Sequence, residues 1–385
     1  MSSLRMRAVQ APIIPIVGRW TRETPGAISL GQGLVSYGPP PEALEALRRF
    51  GDDPDDHRYG PVEGQPELIA AIEEKLEREN GIRVRPEGRV VVTAGGNMAF
   101  FNAVLAVADP GDEIVFPVPF YFNHEMAAVM AGCRPVPVPT GAGYQLDVEA
   151  IERAITPRTR AVVTISPNNP SGAVYPAEAL RAVNALCARH GVFHVHDEVY
   201  EYFTYDGATH FSPGSIEGAA AHTITLSSLS KAYGFAGWRI GYMVIPDALF
   251  DAVNKIQDTN LICPPRASQA AAVAALRVGH RYCAPMVRGL GDVRHAVLES
   301  LAGLGDLGES PAVRGAFYCL VRVRTRMPVM TLVERLVREH GVAVIPGSAF
   351  GLEGPVVRVS YGALDAASVS AGIGRLVEGI RQLAL

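Results

Sequence analysis

The chain has 385 residues, 48% of them hydrophobic and 19% charged, which is ordinary for a globular enzyme. Its length exceeds one ordinary hydrophobic core and predicts two domains, or one large domain with a smaller companion. The formal charge of −4 provides no basic field, so nucleic acids and anionic membrane surfaces are poor candidate partners.

The middle of the chain alternates between helical and strand-like patterns. Helical periodicity occurs at 66–80, 97–108 and 177–191. Apolar runs typical of strands lie between and after these helices, at 89–94, 112–119, 161–165, 192–199, 222–228 and 241–245. These runs are apolar on both faces, which favours a mostly parallel sheet covered by helices on both sides.

A different pattern follows the helical stretch that begins near Pro264 and ends near Gly303. Strand-like runs at 317–323, 342–347 and 356–362 accompany a helix at 331–341 and a last helix, which predicts a smaller α+β lobe. The first 45 residues are rich in glycine and proline and could pack on either lobe. We assign 46–284 to the large domain, and 1–45 with 285–385 to a small domain that includes an N-terminal arm.

The five cysteines are scattered and show no ligand spacing of the kind found in metal sites. They predict reduced, buried thiols in a cytoplasmic protein, and no metal is expected. The N-terminus lacks the continuous apolar core of a signal peptide. No later stretch approaches the roughly 20 apolar residues of a membrane span. The cysteines are Cys133, Cys187, Cys263, Cys283 and Cys319.

The chain has only three lysines, and one of them lies in an unusual context. Lys75 and Lys255 have acidic neighbours in helical patterns, which predicts solvated, ion-paired helix faces. Lys231 instead follows the strand at 222–228 in a loop rich in serine and glycine, at the strand end where open α/β sheets bind ligands. A partly dehydrated lysine there could attack a carbonyl group, although this spacing alone fits a solvated loop lysine equally well.

Polar clusters also follow two other predicted strands. The segment SPNNPSG at 166–172 comes after the strand at 161–165, and HDEVYEYF at 196–203 ends the next strand. Because parallel strands end at the same edge of a sheet, both clusters are expected beside Lys231. Each is an ordinary turn or strand end when taken singly, but together they favour one binding site.

These segments, in this order, resemble the class I/II aminotransferase family, which uses pyridoxal phosphate (PLP) and belongs to the aspartate aminotransferase superfamily. The most specific match is SSLSKAYGFAGWRIG, an S-x-x-K motif with an arginine eight residues after the lysine. Matching elements extend from about residue 28 to the end. The resemblance implies an α/β protein of fold type I, with a large PLP-binding domain of mostly parallel sheet flanked by helices and a smaller α+β domain.

The resemblance also implies roles around the cofactor ring. Lys231 would carry PLP as a Schiff base and act as the catalytic residue. Asp197 would pair with the ring nitrogen, where a carboxylate keeps the ring protonated and electron-withdrawing. Asn169 and Tyr200 would hydrogen-bond the ring oxygen, and Asn169 would also contact the substrate. Tyr121 would lie against the face of the ring.

The cofactor phosphate is expected at a second group of residues. Arg239 and Ser228 match the family positions that bind it, and a guanidinium gives phosphate a planar, permanently charged partner. The segment TAGGNMAF at 93–100 joins a strand to a helix, so its backbone amides could bind an anion at the helix N-terminus. The residues implied there are Gly95, Gly96 and Asn97.

Three more matches concern the substrate and a second subunit. Arg358 lies on a predicted strand of the smaller lobe and would bind the substrate α-carboxylate in a bidentate pair. Gly33 would let the backbone approach the substrate. Tyr59 would reach the cofactor phosphate of a neighbouring subunit, which implies a homodimer with shared active sites.

The resemblance implies an aminotransferase that moves an amino group between an L-amino acid and a 2-oxo acid with ping-pong kinetics. A PLP-dependent β- or γ-lyase is the alternative, because the cofactor supports both kinds of chemistry. A non-catalytic PLP-binding regulatory domain is a remote third possibility. Substrate choice stays open, although Asp258, near the expected side-chain pocket, disfavours aspartate.

Overall fold

A computed structural model describes residues 3–384. The α-helices, numbered in chain order, are α1 (Leu4–Ala8), α2 (Ile13–Glu23), α3 (Pro41–Arg48), α4 (Pro66–Lys75), α5 (Gly96–Val107), α6 (Phe122–Met130), α7 (Val148–Ala154), α8 (Ala177–His190), α9 (Leu229–Ala232), α10 (Phe250–Asn260), α11 (Arg266–Val278), α12 (Ala284–Ala302), α13 (Val329–His340) and α14 (Ala366–Leu383). The strands are β1 (Ile28–Ser29), β2 (Gly88–Thr93), β3 (Glu113–Val118), β4 (Arg134–Pro139), β5 (Thr159–Ile165), β6 (Phe193–Asp197), β7 (Thr223–Ser228), β8 (Gly241–Pro246), β9 (Gly308–Glu309), β10 (Tyr318–Val323), β11 (Val342–Ala343), β12 (Ile345–Pro346) and β13 (Val356–Ser360).

Seven strands form the central sheet, in the order β2-β8-β7-β6-β5-β3-β4. Only β8 runs against the others, pairing antiparallel with β2 and β7. The predicted mostly parallel sheet is therefore confirmed. The sequence did not predict β4, whose residues RPVPVP alternate with proline; the strand lies at the sheet edge, where a missing backbone donor is tolerated.

Helices cover both faces of this sheet. On one face, α5, α6 and α10 contribute buried side chains such as Phe100, Ala128 and Val253 to a common cluster with the strands. On the other face, α7 and α8 cover β3 and β5, while α4 and α11 cover β2 and β8. Because side chains on both faces of these strands are buried, their sequences lack the alternation of a half-exposed strand.

The C-terminal part forms the predicted smaller α+β lobe. An antiparallel sheet with the order β12-β13-β10-β9 packs with α13 and α14. The single strand predicted at 342–347 is instead two short strands in different sheets: β12 joins the antiparallel sheet, and β11 pairs in parallel with β1. This lobe holds Arg358 in the middle of β13, opposite Leu320 of β10.

The N-terminal segment contacts both lobes. β1 pairs with β11 and α2 packs against α13, whereas α3 packs against α11 and α1 contacts α6. The division into residues 46–284 and residues 1–45 with 285–385 stays a prediction, and residues 1, 2 and 385 lie outside the described part of the chain.

Two further features bear on the class of protein. Within residues 3–384, no helix is both long and apolar enough to cross a membrane. All five cysteines are free, four of them buried and Cys263 half-buried.

Candidate active site

The loops at one edge of the central sheet enclose a cavity of about 360 Å³. The carboxyl ends of β2, β3, β5, β6 and β7 meet at this edge because these strands are parallel. The antiparallel strand β8 begins there, which brings Arg239 to the same place two residues before Gly241. The predicted site residues that line the cavity are Gly33, Gly96, Asn97, Tyr121, Asn169, Asp197, Tyr200, Ser228, Lys231, Arg239 and Arg358.

Lys231 lies in the short helix α9, directly after β7. Its Nζ donates a hydrogen bond of 2.6 Å to the carbonyl oxygen of Gly33. Burial, followed by the positive charges of Arg358 and Arg239, lowers the pKa of this lysine to about 8, although Asp197 opposes the shift. The side chain is therefore an amine that gives up its proton much more readily than a surface lysine.

Asp197 is the last residue of β6 and is buried at the floor of the cavity. One carboxylate oxygen accepts a 3.0 Å hydrogen bond from the backbone N–H of Val199. The other lies 3.3 Å from Nε2 of His124, a buried histidine on α6 that stacks on Phe100 with ring centroids 3.9 Å apart. The histidine and the backbone amide together fix the orientation of this carboxylate.

Arg358 enters the cavity from the smaller lobe and is only 2% exposed. Its Nη1 donates to the side-chain oxygen of Asn169 at 2.9 Å, and its Nη2 donates to the carbonyl oxygen of Gly31 at 2.7 Å. The guanidinium also stacks over the rings of Tyr318 and Phe350, 4.6 and 5.0 Å from their centroids. These contacts hold a permanent positive charge where the two lobes meet.

Tyr200 and Tyr318 form a buried pair of phenols from the two lobes, with their oxygens 2.7 Å apart. Burial, followed by the interaction with Tyr318, raises the pKa of Tyr200 well above its usual value, so this hydroxyl keeps its proton. Gly33 packs closely against this pair, since a Cβ atom there would lie 2.6 Å from the Tyr318 oxygen. Any larger residue at this position would displace the phenol.

The opposite end of the cavity is formed by the N-terminus of α5. Gly95 precedes this helix with φ of +91°, and a Cβ atom there would lie 2.5 Å from Nη2 of Arg239. The guanidinium of Arg239 donates to the carbonyl oxygens of Ala236 and Ala94 at 2.9 and 3.2 Å. Nearby, the Ser228 hydroxyl accepts a hydrogen bond from the backbone N–H of Ser230. Gly95 does not line the cavity itself, but it lies against Arg239, which does.

Two predicted aromatic residues have different positions. Tyr121 lines the cavity, accepts a 2.8 Å hydrogen bond from the side chain of Asn123 and packs edge-on against His124. Tyr59 is 79% exposed and does not line this cavity. Its role toward a second subunit stays a prediction.

Several residues of the site were not predicted from the sequence. His124 lies on α6, which begins four residues after β3 ends, and Tyr318 begins β10 in the smaller lobe. The start of α2 contributes Pro12, Ile14 and Pro15 to the cavity wall. The N-terminal segment is recognisable in the sequence by its prolines, but its pattern did not predict that it would line this cavity.

A buried charged network lies beside the site and corrects the prediction for Lys75. This lysine is ion-paired as predicted, but it is 2% exposed rather than solvated. Its Nζ donates to Glu201 at 2.6 Å and to Asn80 at 2.7 Å. Asn80 in turn donates to Glu198 at 3.0 Å. Burial alone would lower the pKa of Lys75, but the Glu201 carboxylate outweighs it and the pKa is raised.

The cavity residues fit PLP in chemistry and arrangement. The first N–H groups of α5 have no partners within the helix, and Arg239 adds a positive charge beside them, as a phosphate requires. Asp197 supplies a fixed carboxylate for a protonated ring nitrogen, and Lys231 supplies an amine. Nε of Arg358 is buried without a hydrogen-bond partner in residues 3–384, and it can donate to a substrate carboxylate.

Comparison with known proteins agrees with the observed fold. The family described as aminotransferase class I and II matches residues 25–376. A probable aspartate/prephenate aminotransferase of Thermus aquaticus is 39% identical over 340 residues, covering 87% of this chain and 86% of the relative. An aromatic aminotransferase of Arabidopsis thaliana is 36% identical over 392 residues, covering 100% and 97%.

Solved structures give the same result. A single mutant of the Thermus thermophilus aspartate aminotransferase superposes with a TM-score of 0.91 at 35% identity, covering 98% of this chain and 99% of that one. The chain therefore belongs to the class I and II aminotransferases and is a PLP-dependent enzyme that moves an amino group between an amino acid and a 2-oxo acid.

Proposed function

We propose that Lys231 is the residue that holds PLP covalently, with the phosphate at the N-terminus of α5. The observation that carries this proposal is the half-buried amine of Lys231, its pKa lowered to about 8, in a cavity that it shares with Asp197 and Arg358. Arg239 and Ser228 are the proposed side-chain partners of the phosphate, together with the backbone of 95–97.

Asp197 would pair with the ring nitrogen, and its fixed orientation supports this role. The hydrogen bond from Val199 and the close approach of His124 leave the carboxylate little freedom to turn away. Tyr200 and Asn169 would donate to the ring oxygen, and Tyr121 would contact the ring face. When bound, PLP withdraws electrons from the substrate's α-carbon.

Lys231 would also move the proton in the reaction. Its Nζ lies in the cavity with Arg358, where it would accept the proton of the substrate's α-carbon and later release it. Its lowered pKa suits both the uptake and the release of this proton, because an amine with a pKa near 8 exchanges a proton readily near neutral pH. Gly33, whose carbonyl accepts from Nζ, would steer this side chain and let the substrate approach.

Arg358 would anchor the α-carboxylate of both the amino acid and the 2-oxo acid. Its two terminal nitrogens are held by Asn169 and Gly31, so the guanidinium plane is fixed before the substrate arrives. A fixed bidentate partner orients the α-carbon toward Lys231 and lowers the entropic cost of reaction.

The active unit is proposed to be a homodimer in the cytoplasm. Tyr59 supports the dimer, because a side chain 79% exposed on this subunit remains free to reach a phosphate site on a second one. The five free cysteines support a reducing compartment. The division into a large domain at 46–284 and a small domain built from both termini is proposed as well.

Separate half-reactions test the proposed function. Purified enzyme with PLP is mixed with single amino acids while the visible absorption is recorded, and a 2-oxo acid is then added. The proposal predicts bleaching by the amino acid, one equivalent of 2-oxo acid released, and recovery of the spectrum with the second substrate. Lys231→Ala should abolish both steps, whereas Lys255→Ala should leave them unchanged. Continuous release of ammonia and a leaving group without a 2-oxo acid would instead support a lyase.

A further inference from the structure

One wall of the cavity is apolar and comes from outside the central sheet. Pro12, Ile14 and Pro15, at the start of α2, line it together with Phe122 at the start of α6. The segment is held in place just before this point, because Gln10 donates from its side chain to Glu125 at 2.8 Å. The wall is therefore an anchored part of the site.

The wall lies next to the proposed carboxylate anchor. The ring of Phe122 packs on the ring of Phe350, with centroids 5.4 Å apart, and Phe350 also lies under the guanidinium of Arg358. A substrate's carboxylate and side chain are attached to the same carbon atom. Once the carboxylate is bound at Arg358, the side chain lies within reach of this wall.

Each positively charged side chain that lines the cavity already has a role in the proposed function. In residues 3–384 the cationic side chains that line it are Lys231, Arg239 and Arg358. The proposed function uses the first for the cofactor, the second for its phosphate and the third for the α-carboxylate. A second carboxylate directed at this wall would meet proline, isoleucine and phenylalanine, whose side chains offer it no hydrogen-bond donor or positive charge.

We propose that this site selects amino acids with uncharged, apolar or aromatic side chains, with the wall of Pro12, Ile14, Pro15 and Phe122 as the specificity surface. The inference rests on the proposed function, since it needs Arg358 to hold the α-carboxylate. It makes Ile14 a specificity-determining residue, because Ile14 is a half-buried side chain on this wall.

The test compares leucine, phenylalanine and aspartate in the amino-acid half-reaction of the PLP-loaded enzyme. Leucine and aspartate branch at the same carbon and differ mainly in charge. We expect kcat/KM to be about tenfold or more higher for leucine and phenylalanine than for aspartate. Ile14→Lys places a cation on the wall and should lower the leucine-to-aspartate ratio about tenfold. Ile14→Gln, a neutral chain of similar length, is the matched control and should not raise kcat/KM for aspartate.

The outcomes separate this inference from the proposed function. Faster conversion of aspartate than of leucine by the wild type would overturn the inference while leaving transamination intact, and would point to a cation from a second subunit. Equal effects of Ile14→Lys and Ile14→Gln would also overturn it. A half-reaction with another amino acid but with none of these three would overturn the inference alone, whereas no half-reaction with any amino acid, with PLP bound, would overturn the proposed function as well.

Discussion

The lowered pKa of Lys231 predicts unusual reactivity in the cofactor-free protein. With a pKa of about 8 instead of the ordinary 10.5, roughly a tenth of this amine is neutral at pH 7, compared with about 0.03% of an ordinary lysine. The neutral, reactive fraction of Lys231 at pH 7 is therefore about 300 times that of an ordinary lysine. Because only the neutral amine attacks an acylating reagent, the rate should rise with pH and level off above about pH 8.

The rate is measured by brief acetylation of the apo-protein across a range of pH, with peptide mass spectrometry to follow each lysine. The surface residue Lys255 is an internal reference for the reagent. Arg358→Met removes a positive charge beside Lys231 and should move its titration to higher pH, since that charge disfavours the protonated amine. Arg153→Met, which removes a charge on the exposed face of α7, is the matched control.

A titration midpoint for Lys231 at or above 10.5 would refute this reasoning, because burial and the neighbouring cations would then have no net effect. A downward shift in Arg358→Met would refute the electrostatic cause specifically.

Three further substitutions have defined expected results. Arg358→Lys keeps the charge but loses the planar pair of donors, so kcat/KM for amino acids should fall roughly ten- to a hundredfold with little change in PLP binding. Gly95→Ala would force a methyl group against the guanidinium of Arg239 at a positive φ, so titration with PLP should show affinity weakened about tenfold. Lys75→Met leaves the carboxylate of Glu201, whose side chain is only 10% exposed, without its positive partner, and denaturant unfolding should show a loss of about 3–5 kcal/mol.

Each of these predictions has a control. Lys255→Met should change the unfolding free energy by less than about 0.5 kcal/mol, because this lysine lies on the surface. Gly237→Ala, at an exposed glycine with open space around it, should leave PLP affinity unchanged. If Arg358→Lys weakened PLP binding as strongly as catalysis, Arg358 would have to contact the cofactor and not the substrate carboxylate.

The sequence predicted the site residues best where they lie at the ends of buried parallel strands. Lys231, Asp197 and Asn169 follow buried strands, and parallel strands end at one edge, so their convergence could be predicted without coordinates. Arg239 reaches the same edge because β8 is antiparallel, and its place was predicted from the motif and not from the strand pattern. The mostly parallel sheet was predictable because its strands are apolar on both faces.

The residues that were missed depend on contacts between distant segments. His124 reaches Asp197 from a helix whose pattern shows only ordinary amphipathicity, and Tyr318 meets Tyr200 across the two lobes. The prediction of a solvated Lys75 was wrong because its nearest sequence neighbours are acidic, whereas its partner Glu201 is 126 residues away. Such tertiary pairing overrides a local charge pattern.

Covalent attachment of PLP to Lys231 can be measured by reducing the loaded enzyme with borohydride and mapping the modified peptide by mass spectrometry. We expect one stable pyridoxyl adduct per chain, located on Lys231, and none in Lys231→Ala treated in the same way. An adduct on Lys75 or Lys255, or an unmodified Lys231 in protein that shows the cofactor's visible absorption, would contradict it.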